Sequence, residues 1–101
     1  MKYYIKKTDY INRNLTTLEI DCVVKDVVCS YNKLTELKAP NAKEVNCSDN
    51  NLTELKAPNA LDVRCSDNKL TKLDLPKATD IDCYNNKLTE INVPENCLVF
   101  K

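Results

Sequence analysis

The sequence predicts a β-solenoid: right-handed stacked coils with a parallel β-sheet, an extended, non-helical return side and little curvature. Three observations carry this. VNCSDNNLTELKAPNA, from Val45 to Ala60, recurs as VRCSDNKLTKLDLPKA from Val63 to Ala78, an offset of 18 residues that also carries Cys29 onto Cys47, Cys65 and Cys83, and Asn32 onto Asn50, Asn68 and Asn86. A fixed period of this kind means stacked units, none of which could bury its apolar side alone. Within each unit, apolar-x-Cys alternates with the period of a short strand, as in Val27-x-Cys29 and Val45-x-Cys47. A second inward pair, Leu37-x-Ala39, Leu55-x-Ala57, Leu73-x-Leu75 and Ile91-x-Val93, is followed at once by Pro40, Pro58, Pro76 or Pro94. Proline removes a backbone donor and disfavours a helix through that point, so both sides of a coil are extended and can stack near the ~4.8 Å strand spacing.

Taken in order, residues 1–23 read as an N-terminal cap and an irregular first coil. Met1 to Asp9 match no repeat, and Tyr3, Tyr4 and Ile5 are suited to lie across the open end of the stack. Leu15 to Ile20 match Leu34 to Ala39 with an offset of 19; Arg13 stands where Asn is expected, and Asp21-Cys22 replaces the Pro-Asn corner. Residues 24–101 form the regular part, with coils beginning near Val24, Ala42, Ala60 and Ala78. Leu98-Val99-Phe100 opens one more coil as an edge strand, leaving Leu98 and Phe100 exposed beside unpaired backbone groups. Such an edge can be covered by Phe100 itself or by a second copy, a homodimer.

The unit Val27-x-Cys29-x-x-Asn32-x-Leu34, repeated from Val45, Val63 and Ile81, resembles the leucine-rich repeat, whose core reads LxxLxLxxNxL or LxxLxCxxNxL. The resemblance covers Val24 to Val99. It implies that each Asn side chain bonds the backbone of the neighbouring coil, and that the strand face receives protein partners. An inward Asn needs such partners, because an unpaired buried amide costs roughly 1–3 kcal/mol. At 18 residues the unit is shorter than the roughly 20–29 usual in the family, which leaves no room for a helix on the convex side.

Composition narrows the function. Fifteen basic and fifteen acidic residues cancel, so nothing in the balance favours nucleic acid or an anionic membrane. No apolar run approaches ~18 residues and MKYYIKK lacks the apolar stretch of a signal peptide, so a soluble, cytoplasmic protein is expected. Four of the six cysteines occupy an inward column, where a free thiol behaves as a small apolar residue. In-register neighbours point their Cβ vectors alongside one another rather than together, which disfavours disulfides. A straight row without histidine disfavours zinc. With no histidine, no glycine for a phosphate-cradling loop and no nucleophile beside a base, neither an enzyme nor a cofactor is expected.

Function is therefore sought on the outward columns. Asp26, Glu44, Asp62 and Asp80 form an acidic stripe beside Val28, Asn46, Arg64 and Asp82, and Asp49 and Asp67 extend it at the turn next to Tyr31 and Tyr84. On the return side Glu54 is expected to face and pair with Lys72, and Lys56 with Asp74. The Thr35, Thr53, Thr71 and Thr89 column is assigned to the turn. The expectation is a non-catalytic protein–protein interaction module that binds a partner with a basic surface through these twelve residues, as an inhibitor or adaptor. A viral or phage-encoded inhibitor of a host or defence protein, acting in the host cytoplasm, fits the same form. The competing class is a structural solenoid that self-associates through Leu98 and Phe100 without a specific ligand.

Overall fold

The computed structural model describes residues 7–9, 14, 16–19 and 25–101, with backbone alone at 7–9 and 17–19. The chain is a parallel β-solenoid, with no helix among the described residues. Eleven three-residue strands alternate between two sides: β1 Lys7–Asp9, β2 Thr17–Glu19, β3 Asp26–Val28, β4 Glu36–Lys38, β5 Glu44–Asn46, β6 Glu54–Lys56, β7 Asp62–Arg64, β8 Lys72–Asp74, β9 Asp80–Asp82, β10 Glu90–Asn92 and β11 Leu98–Phe100. The odd-numbered strands form one six-stranded parallel sheet in chain order. Val27, Val45, Val63, Ile81 and Val99 are successive partners in it.

Segment 7–9, which matches no repeat by sequence, is the first strand of this sheet, with Lys7 opposite Asp26. Thr17 lies opposite Glu36, so the 19-residue offset of the irregular coil is real. The cap assigned to Tyr3, Tyr4 and Ile5, together with Arg13 and Asp21-Cys22, lies outside the described residues.

Why these residues fold this way follows from what each coil must hide. The middle residue of each strand from β3 to β9 is buried, while its neighbours are half-buried or exposed. Columns of Val/Ile, Cys, Leu and Ala from successive coils make one continuous core, against which Leu88, Ile91, Val93, Cys97 and Val99 of the last coil are partly buried. The corners are β-turns with Pro at the second position, closed by Ala42 N–H to Ala39 O, Ala60 N–H to Ala57 O and Ala78 N–H to Leu75 O. The last corner is shifted by one residue, Cys97 N–H bonding Pro94 O at 3.1 Å.

The asparagines join one coil to the next. Asn68 Nδ2 donates to Cys65 O and Ser66 O of its own coil and to Cys47 O of the preceding one, while its Oδ1 accepts from Leu52 N–H. Asn50 and Asn86 repeat the arrangement with Cys29 and Leu34, and with Cys65 and Leu70. The threonines form a lesser ladder on the exposed side, Thr53 Oγ1 donating to Thr35 O and Thr89 Oγ1 to Thr71 O. The Thr column thus ties coils together rather than shaping the turn alone.

Stacking is not uniform all round, contrary to expectation. The return side divides into β2-β4-β6 and β8-β10, with no pairing between β6 and β8. The inward position after the return strand explains the division. It is Ala39 and Ala57 in two successive coils and then Leu75, fully buried. The larger side chain sets the fourth coil's return strand farther out than an alanine coil can follow, and Leu55 at the junction is the most exposed of the buried core at 9%. The expected Glu54–Lys72 and Lys56–Asp74 pairs do not form. Glu54 bonds Lys56 on its own strand at 3.0 Å, Lys72 lies 3.6 Å from Glu90, and Asp74 accepts from Asn92 Nδ2.

Two outcomes are expected. Asn68→Ala strands the Leu52 N–H and the Cys47 carbonyl in the core, and should lower unfolding free energy in urea by about 3 kcal/mol. Amide exchange should be roughly tenfold or more faster at Ala57 and Thr71, which find no carbonyl across the division, than at Ala39, Thr53, Leu75 and Thr89, which do.

Candidate functional site

Two outward columns result from each odd strand having one residue on either side of its buried centre. Register puts Asp26, Glu44, Asp62, Asp80 and Leu98 in one column, and Val28, Asn46, Arg64, Asp82 and Phe100 in the other. The four carboxylates of the first column therefore span three strand spacings, ~14 Å. They line two shallow hollows that meet at Asp62 and Arg64. The first, about 270 Å³, lies among Asp26, Glu44, Asp62, Val28, Asn46 and Arg64. The second, about 360 Å³, lies among Asp62, Arg64, Asp80, Ile81, Asp82 and Phe100.

The electrostatics of the two sides differ. On the return side Glu36 bonds Lys38 at 3.1 Å, and Glu54 and Glu90 have their own lysine partners. On the six-stranded sheet no described residue forms an ion pair with Asp62, Asp80 or Asp82. Arg64 and Asp82 are register partners, yet no ion pair joins them. Asp82 Oδ1 is buried with no hydrogen-bond donor. Asn46 is less available than its column suggests, since its Oδ1 accepts from both Ser48 N–H and Ser48 Oγ–H.

The turn residues separate further. Tyr31, Asp49, Asp67 and Asn85 share a left-handed backbone, φ 56–58°. In a chain without glycine, Asp and Asn hold this conformation most readily, which gives Asp49 and Asp67 a backbone role besides their charge. Asp67 Oδ1 also accepts from Asn85 Nδ2 at 2.7 Å. Tyr84 belongs to the preceding column, with Ser30, Ser48 and Ser66. Tyr31 and Tyr84 are both exposed but stand three coils apart, ~14 Å by strand spacing, so they do not make one aromatic anchor. Phe100, placed by sequence only at the edge, is the aromatic side chain that lines the acidic face. The 18-residue offset from Asp82 to Phe100 was the signal for it.

Cys29, Cys47, Cys65 and Cys83 are free and buried, and Cys97 is free and half-buried. Burial pushes the Cys29 and Cys65 thiols up to about 12, and raises Cys47, Cys83 and, with help from the Asp80 carboxylate, Cys97. Cys22 lies outside the described residues. Among the described residues no three His, Cys, Asp or Glu side chains converge as a metal site, and no helix is long and apolar enough to cross a membrane. Compared with protein-family models, curated proteins and solved structures, the chain matches none.

The thiolate is the form that reacts, so buried thiols held protonated should stay silent. In a Cys22→Ser variant at pH 8, a maleimide should modify Cys97 in the folded protein and reach Cys29, Cys47, Cys65 and Cys83 only in urea, as read by mass spectrometry.

Proposed function

We propose that the chain is a non-catalytic protein-interaction module that covers part of a partner protein, as an inhibitor or adaptor does, with the outer face of the six-stranded sheet as the contact surface. The observation that carries this reading is the asymmetry of charge. The carboxylates of the return side are neutralised by neighbouring lysines and an asparagine, whereas Asp62, Asp80 and Asp82 stand in register on one face with Arg64 as the cation set among them. Like charges at strand spacing repel, at a cost comparable to the roughly 0.2–1 kcal/mol of a favourable cross-strand pair. A basic surface laid over the face relieves that repulsion and gains electrostatic steering.

The resemblance of the Cys-x-x-Asn-x-Leu unit to leucine-rich repeats supports the same face, since that family generally receives protein partners on its strand side. The face is a shallow pair of hollows rather than a deep cleft, which suits a protein surface better than a small substrate. Tyr84 and Phe100, exposed at one end, supply apolar contact area beside the carboxylates.

The test is charge reversal on each side, after a partner has been recovered by pull-down. Asp62→Lys with Asp80→Lys should weaken the complex by roughly tenfold or more, and the parent complex should weaken with added salt. Lys38→Glu with Lys56→Glu, on the return side, should leave the affinity within about twofold. Undiminished binding by the sheet-face variant would assign the contact elsewhere.

A further inference from the structure

We propose that the hollow among Arg64, Asp82 and Phe100 seats one arginine side chain of the partner; this rests on the reading of the sheet face as the contact surface. Three features of the hollow select that chemistry. Asp82 keeps a buried carboxylate oxygen with no donor, and leaving a buried acceptor unpaired is costly, the more so when it carries charge. The cation in register beside it, Arg64, is exposed and forms no ion pair with it. On the other side, also in register with Asp82, stands Phe100, 49% exposed.

A guanidinium matches all three. Its planar fork donates to a carboxylate in two parallel bonds, its flat face stacks on an aromatic ring, and its weak hydration makes the transfer out of water less costly than for an ammonium. Charge counting agrees: the hollow is lined by three carboxylates, Asp62, Asp80 and Asp82, against the single guanidinium of Arg64, so one more cation leaves it nearer neutrality. A divalent ion is a poorer occupant, because no three carboxylates converge on a point among the described residues. The arginine seat also gives Arg64 a part in selectivity, as the intramolecular competitor that an incoming guanidinium must displace from the neighbourhood of Asp82.

The experiment is a titration of isotope-labelled protein with the capped tripeptide Gly-Arg-Gly, followed by amide and aromatic resonances, against the same peptide with citrulline, which keeps the shape and loses the charge. The arginine peptide should shift Asp82 and Phe100 signals saturably and the citrulline peptide should not. Asp82→Asn should weaken binding by roughly tenfold and Phe100→Ala by roughly fivefold. Arg64→Gln should strengthen it. Phe100 is exposed and Asp82→Asn is isosteric, so both variants keep the fold, which an unchanged amide spectrum elsewhere verifies. Equal shifts from the two peptides overturn the proposal, as does binding indifferent to Asp82→Asn. If the arginine peptide instead moves the Asp26, Glu44 and Asp62 signals alone, the arginine seat is wrong while the acidic contact face stands; if the pulled-down partner ignores charge reversal on the face, the face itself is wrong.

Discussion

One side chain amide per coil holds the structure in register. Asn50, Asn68 and Asn86 each spend their Nδ2 on carbonyls of two coils and their Oδ1 on a leucine N–H of the preceding coil. Because these groups lie in or against the core, each bond missed is a buried polar group left without a partner. Coils shifted by one residue would lose the whole set and also turn every inward side chain outward. Register is therefore enforced twice, by polar satisfaction inside the turn and by apolar burial along the strand.

From that register the surface follows. A residue type repeated at one position of the unit becomes a straight row on the molecule, which is how Asp26, Glu44, Asp62 and Asp80, far apart in the chain, come to share one column. Rows concentrate charge without altering the neutral total. The return side disperses its charge through pairs within a strand or between neighbours, and the six-stranded face keeps Asp62, Asp80 and Asp82 outside any ion pair. A protein with no net charge thus carries one face with a strong local field, the property that orients an encounter with a basic surface.

The division between β6 and β8 marks the limit of translational symmetry. The backbone bonds around the turn continue through it, as Lys69 N–H to Leu52 O and the Asn68 bridge do. Only the return strands part, where Ala57 gives way to Leu75. A core column tolerates the change by moving backbone rather than by overfilling, and the side with fewer cross-coil tethers is the side that moves.

The repeat period, the inward columns, the role of asparagine and the composition of each outward row were all determined by the sequence itself, because they depend only on alternation along a strand and on one offset. The strand at Lys7–Asp9 escaped that reading, since Thr8 opposite Val27 breaks the apolar column that marks the later coils. What only the tertiary structure decided is how neighbours share space: Glu54 turning to Lys56 instead of Lys72, Tyr31 and Tyr84 standing in different columns, and Asp82 losing Arg64 while gaining Phe100. Side-chain volume accumulates from coil to coil, and each rotamer depends on packing above and below it. A one-dimensional pattern states which residues are stacked; three-dimensional packing settles which of them touch.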